Sequence, residues 1–516
     1  MYRSSFILLA LLAAMPMSAG AASSTPSLTY AIDLNDRADD LFKVTLTVEG
    51  LGQGNAVYQF ASTAPGTYQV MNIGRYVRSF EARDARGAVV PTSRVSVNQW
   101  RLSDPARVRT IRYTVAETWD TKVDRNQVYL MCGTSIEGDH VLINPHAVIG
   151  YPAGLQSTPV RVRLSYPGGW KIGTALERDT DGAYRAASYD QLVDSPILLG
   201  KLTDARILVT GVPVEIFVYS KTGKIQATQL LNAMDGMLEA AGGFLGKLPV
   251  DRYTFLYHFE GQNAGAWEHS LSSEYVFQES EFTDSLGGYL TDIAAHEFFH
   301  IATPLNIHSE IIEHFNFVTP VPSQHLWLYE GTTEWAAHAM QLRAGLKSPE
   351  EYLKKVLQKI RVDRAAFDSS YSLRELALTS YSDSGQKQYA NIYMRGALTA
   401  GLLDIRLLEL SRGKQGLQDL ILELAKRYGK TRAFPESTFV DTLVALTHPE
   451  VRDFFDRHVW ESERLPIKEY YGKLGITLVE DAEGRPLRFE IDPRPAPDQR
   501  RLREAWLGRK PEAASP

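Results

Sequence analysis

The hydrophobic rhythm of this chain changes once, and that change dictates its architecture. From about Ser27 to Asp204, apolar and polar residues alternate with a period of two, as in Lys43-Val44-Thr45-Leu46-Thr47-Val48, Val108 to Val115 and Val160 to Ser165. Alternation of this kind gives a strand one buried and one wet face. Gly, Pro, Asp and Asn residues punctuate the runs as turn formers. A β-sandwich-like domain or curved sheet is therefore expected over residues 22–205. A mixed stretch follows, with strands near Val214 to Tyr219 and Tyr253 to His258 and a helix between them. Beyond about Thr291 the apolar residues recur at helical spacing, in Ala397 to Leu410, Gly416 to Tyr428 and Val440 to Leu446. The fold class is a multidomain α+β protein: a β domain, a mostly helical domain over 206–478, and a loosely attached Pro- and Arg-rich tail over 479–516. At 516 residues the chain is long enough for two or three cores.

Within the helical part, His296-Glu297-Phe298-Phe299-His300 carries the clearest chemistry. Residues four apart lie one turn apart on the same helix face, so both imidazoles can reach one metal ion. Zn²⁺ favours such nitrogen ligands, and Glu297 is placed to take a proton from water beside the metal. Thr291 and Asp292 offer N-cap oxygens for this helix, and Pro304 sits at its expected end. Zinc over another divalent ion is an inference from ligand type.

Charge and the chain's start narrow the setting. A net charge of −6 and the lack of a long basic run give no electrostatic footprint for nucleic acid. Arg3, the apolar stretch Phe6 to Met17 and Ala19-Gly20-Ala21 read as an export signal over residues 1–21, with a mature start near Ala22. The apolar run is shorter than the approximately 20 residues of a spanning helix. The expectation is an exported protein, periplasmic or secreted, with no stable membrane insertion after signal removal. The single Cys132 has no intramolecular partner and reads as a small buried hydrophobe.

A catalytic zinc needs a third protein ligand and an open position. Residues 303 and 306 are Thr and Asn, which excludes the metzincin pattern. The acidic candidates further along are Glu310, Glu313, Glu330 and Glu334. Trp327-Leu328-Tyr329-Glu330-Gly331-Thr332 resembles the WxxEG segment of gluzincin aminopeptidases, and the 29 residues between His300 and Glu330 fit the glycyl aminopeptidase family. Gly265-Ala266-Trp267-Glu268-His269 resembles that family's GGxEH strand. Tyr389-Ala390-Asn391-Ile392-Tyr393-Met394-Arg395-Gly396 is similar to its Y-x-(K/R)-G segment, and Ala64-Pro65-Gly66-Thr67-Tyr68 to its PG(S/T)Y segment. The likeness covers about residues 27 to 478.

This resemblance implies a thermolysin-like zinc peptidase domain holding one Zn²⁺ per chain. His296, His300 and Glu330 would be ligands, Glu297 the general base, Tyr393 the oxyanion donor with Tyr389 as its reserve, and Glu334 a support for a ligating histidine. Gly265, Ala266 and Glu268 would line the substrate site, with Glu268 holding the free amino terminus of a peptide. Three departures stand out. Ile301 to Ile307 replaces the family's Trp-Asn and Arg-rich stretch, and Ala266 replaces a Gly, both near the expected cleft. Too few residues follow Leu478 for the family's usual C-terminal PDZ domain. Exported aminopeptidase, with a preference for Gly or Ala, is the leading expectation. A zinc endopeptidase with the same centre and a non-catalytic zinc-dependent binding protein are the rivals.

Overall fold

A computed structural model of the protein describes residues 26–509, so the export signal expected over residues 1–21 lies outside the described residues. The alternating segments form strands as expected. Ser27–Asp33 pairs antiparallel with Leu41–Glu49 in a register that sets Tyr30 opposite Leu46 and Ile32 opposite Val44, and all four side chains are buried. Those strands lie at the centre of an eight-stranded sheet, beside Val108–Ala116 and Val77–Asp84. Two four-stranded sheets share its core, one built on His140–Ile143 and Ile197–Gly200, the other on Val57–Gln59 and Gln99–Leu102. Trp100 stacks on Phe80 within that core, where Tyr58, Phe60 and Tyr113 also pack.

Strand Thr203–Val209 straddles the expected domain boundary and pairs with the next sheet, not with the β domain. That sheet runs Thr203–Val209, Val212–Ser220, Tyr253–Glu260, Ser272–Gln278, Gly265–His269. Its three inner strands are parallel, and Gly265–His269 is added antiparallel at the edge. Helix Ala227–Leu245 makes the crossover and packs against the helix that bears the two histidines.

The histidine-bearing helix spans Asp284–Phe299 and starts about two turns earlier than Thr291 would place it. Thr283 is the N-cap, its hydroxyl accepting from Leu286 N at 3.2 Å. Thr291 is interior, its hydroxyl turned back onto the Gly287 carbonyl. The later helices lie near where the spacing put them, over Asn391–Leu410, Leu417–Arg427 and Phe439–Leu446, the first starting six residues before the expected Ala397.

The last described residues are not a loose tail. Ile476–Glu480 and Pro486–Ile491 form an antiparallel hairpin, followed by helix Pro497–Trp506. Arg361 donates to the carbonyls of Pro486 and Leu487, and Arg364 pairs with Glu480 at 2.8 Å. Trp506 is 2% exposed and packs edge-on against Tyr352. Pro and Arg content suggested a loose segment, but Arg361 and Arg364 of helix Pro349–Ala366 anchor its hairpin. Among the described residues no helix is long and apolar enough to cross a membrane.

Candidate active site

The helix Asp284–Phe299 presents His296 and Glu297 near its C-terminal end, with His300 as its C-cap. Each imidazole is oriented through its Nδ1. His296 Nδ1 lies 2.7 Å from Glu334 Oε2, and His300 Nδ1 lies 3.0 Å from the Thr303 carbonyl, to which it donates. Both Nε2 atoms are thereby left to converge on one carboxylate, standing 3.5 and 3.6 Å from Glu330 Oε2. Glu330 comes from a π-helical turn, Trp327–Thr332, that leads into helix Thr333–Arg343. Such wide turns re-aim side chains and recur at functional sites.

The donor set suits a borderline divalent ion such as zinc: two imidazole nitrogens and one carboxylate oxygen, all buried and within 4.8 Å of one another. Glu297, Glu330 and Glu334 crowd these imidazoles with negative charge. Burial alone would push the Glu330 carboxyl up, but His300, His296 and Tyr393 outweigh it and hold it below the usual range. Burial likewise opposes ionisation of Glu334, which Lys359, His296 and His338 nonetheless hold well below that range. The Glu297 carboxyl is pushed up to about 8, mainly by burial, against the pull of His296. Burial thus makes this carboxylate more basic than an exposed one.

Lys359, from helix Pro349–Ala366, forms an ion pair with Glu334, which His338 also approaches at 3.4 Å. Sequence reasoning missed Lys359, because no motif marks it and its partner is 25 residues away. Glu334 itself sits against a histidine, as the resemblance implied.

Tyr393 stands in the first turn of helix Asn391–Leu410, its ring 5.6 Å from that of His296. Burial, followed by the Glu330 charge, raises its hydroxyl well above the ordinary phenol value, so it stays protonated. The Tyr389 hydroxyl is 3.3 Å from that of Tyr393, so both face the cleft. Two glycines allow this approach. A Cβ on Gly331 would come within 2.7 Å of the Gly396 main chain, so neither position has room for a side chain.

Gly265, Ala266 and Glu268 lie on the edge strand Gly265–His269 and line a cleft of about 450 Å³ together with the two histidines, Glu297 and Glu330. Carboxylate oxygens of Glu268 and Glu297 and a nitrogen of His300 lie within 4.8 Å of one another. Burial, then the charges of Glu330 and Glu297, raise the Glu268 carboxyl well above its ordinary value. Trp267 borders the cleft as well, packs into the β-domain core, and donates from Nε1 to the Pro65 carbonyl at 3.2 Å. Ile301 is buried in the helical core and does not line the cleft, contrary to its expected place.

The β domain supplies part of this site. Gly66, at φ +76°, brings its backbone so close to Glu268 that a Cβ would strike the carboxylate. Tyr68 follows at φ +46°, packs its ring 5.2 Å from Tyr389, and accepts from Gln386 Nε2 through its carbonyl at 2.8 Å. The segment Ala64 to Val70 was readable only as a family likeness; its position against the edge strand had no sequence signal.

Residues 29–201 match the family model described as the Peptidase M61 N-terminal domain, and residues 289–399 match that of M61 glycyl aminopeptidase. Among solved structures, an aminopeptidase N family protein from Idiomarina loihiensis is 22% identical with a TM-score of 0.78, over 88% of this chain and 79% of that one. The yeast LTA4 hydrolase is 11% identical with a TM-score of 0.52, over 87% of this chain and 70% of that one. A second structure, of leukotriene A4 hydrolase from Saccharomyces cerevisiae, is 12% identical with a TM-score of 0.51 over the same shares. At these identities the likeness is one of fold. No curated protein matches significantly.

Proposed function

Because this chain belongs to the M61 glycyl aminopeptidase family of metallopeptidases, we propose that it is an exported zinc aminopeptidase, removing the first residue from peptides with a free N-terminus. His296, His300 and Glu330 would hold the zinc. Bound there, it would polarise the scissile carbonyl and lower the pKa of water.

The remaining work falls to the chain. Glu297 accepts the proton of the attacking water and returns it to the departing amine. Tyr393 donates a hydrogen bond to the carbonyl oxygen as negative charge develops there, a task suited to a neutral phenol. Glu268 pairs with the substrate's α-ammonium.

One observation carries the choice of aminopeptidase: Glu268, on the edge strand, has a carboxylate oxygen within 4.8 Å of both Glu297 and His300. Two buried carboxylates this close repel each other, and an ammonium between them relieves the repulsion. Gly66 closes the cleft beside Glu268, which favours small first residues such as Gly or Ala. The non-catalytic binding reading falls away, since the family is one of peptidases.

The deciding experiment follows amino-acid release from paired peptides, one free and one N-acetylated, with and without a chelator. Chelator-sensitive release from the free peptide alone supports the proposal. Cleavage of both points to an endopeptidase, and cleavage of neither by zinc-loaded protein overturns the reading. Export rests on Arg3, the apolar run Phe6 to Met17 and Ala19-Gly20-Ala21. N-terminal sequencing of the protein recovered outside the cytoplasm should begin near Ala22, and an intact Met1 would exclude cleavage.

A further inference from the structure

A second cluster of the same donor types lies outside the cleft, where the two domains meet. His140 opens the β-domain strand His140–Ile143, whereas His258 and Glu260 belong to the strand Tyr253–Glu260 of the other sheet. Two residues apart on a strand, His258 and Glu260 share a face. The Nε2 atoms of His140 and His258 are 2.9 Å apart, and each stands 3.5 Å from Glu260 Oε2. Donors bound to one tetrahedral zinc at about 2.1 Å stand about 3.4 Å from one another. The catalytic cluster, with 3.5 and 3.6 Å to Glu330, shows nearly the same spacing.

The surroundings are also those of a built site. Both histidines are 1% exposed. His140 Nδ1 lies 3.0 Å from Asp139 Oδ1, and that oxygen also accepts from the Tyr219 hydroxyl at 3.2 Å. A carboxylate on the far nitrogen fixes the tautomer with a lone pair on Nε2, the arrangement that supports metal-bound imidazoles. Glu260 uses Oε1 for Lys221 at 2.6 Å, which leaves Oε2 to the histidines. A cavity of about 170 Å³ lined by Glu260, Glu137, Asp120 and Lys221 opens beside the cluster.

We propose that His140, His258 and Glu260 bind a second divalent transition-metal ion of the zinc class, clipping the β domain to the sheet that carries the cleft. Imidazole nitrogens select zinc-like ions over Mg²⁺ or Ca²⁺. One ligand comes from the β domain and two from its neighbour, so the ion stabilises their docking and adds nothing to the peptidase chemistry.

The test is a count of tightly held zinc per chain, by elemental analysis after metal-free full-length protein is loaded with Zn²⁺ and desalted. Wild type should hold two ions, His258→Ala one and Glu330→Ala one, with none left when both changes are combined. Glu260→Gln, which keeps the side chain's size, should also hold one, and serves if His258→Ala fails to fold. A wild type with one ion that is lost in Glu330→Ala and kept in His258→Ala overturns the proposal, leaving a plain imidazole–imidazole hydrogen bond. A single ion lost in His258→Ala but kept in Glu330→Ala supports this clip and removes the catalytic zinc instead. Zinc binding to Glu330→Ala should also raise its melting temperature, and the rise should vanish with His258→Ala.

Discussion

Gly331 and Gly396 meet main chain to main chain, and a Cβ on Gly396 would lie 2.8 Å from the Gly331 Cα. This contact sets the spacing between Glu330, one residue before the first glycine, and Tyr393, one helical turn before the second. Overpacking here costs about 1–3 kcal/mol. Gly396→Ala should lower the melting temperature and reduce both turnover and metal affinity. Unchanged kinetics in a destabilised variant would show that the contact serves packing alone.

Glu297 is buried against His296 and gives up its proton reluctantly. Glu297→Ala should keep its metal and lose roughly 100- to 10,000-fold in kcat, the range for a lost general base. A wild-type rate in the metal-loaded variant would remove Glu297 from the chemistry.

The chain Lys359–Glu334–His296 holds the proposed ligand His296 by its far nitrogen. Supporting contacts of this type are worth roughly 10- to 100-fold in metal affinity. Glu334→Gln and Lys359→Met should both weaken zinc binding in a competition titration with a chelator, Glu334→Gln more so. Equal affinities in all three proteins would reduce the chain to an ordinary ion pair.

Glu268→Gln separates the two peptidase readings. Under the aminopeptidase reading, kcat/KM for free peptides falls by at least 10-fold, the loss of roughly 1.4 kcal/mol or more in a charge-assisted bond. An endopeptidase would cleave internal bonds at its former rate after the same change.

Glu117 offers a pH test away from the cleft. Burial raises its carboxyl to about 7, even though Oε2 accepts from Ile136 N at 2.7 Å. The folded state thus favours the protonated acid, so this group's contribution is greatest below about pH 4.5 and is lost as pH rises through 7. Glu117→Gln, which cannot ionise, should raise the melting temperature at pH 8 and change it little at pH 4.5. The same difference at both pH values would show that Glu117 does not titrate in this range.

The strands and long helices were legible because a single period runs through each, as in Leu41–Glu49 and Asn391–Leu410. The start of the histidine-bearing helix was not. Gly287 and Gly288 look like breakers, and the Thr291-Asp292 pair imitates a cap, so tertiary packing decided the matter. His296 and His300 follow from helical spacing alone. Glu330, Tyr393 and Glu268 needed the family likeness, since each arrives from a different element. Lys359 could be found by neither route, and the anchoring role of Arg361 and Arg364 was hidden for the same reason. Contacts across long loops leave no local pattern.

The loop at Gly66 has a consequence for how such a protein can change. Its backbone abuts the carboxylate assigned to the substrate amine, and its neighbour Tyr68 is clamped to Gln386 and Tyr389 of the other domain. The β domain is therefore a wall of the reaction chamber, not a passenger beside it. A metal-bearing half grafted onto a foreign β domain would keep its ligands and lose its floor, so the two halves must vary together.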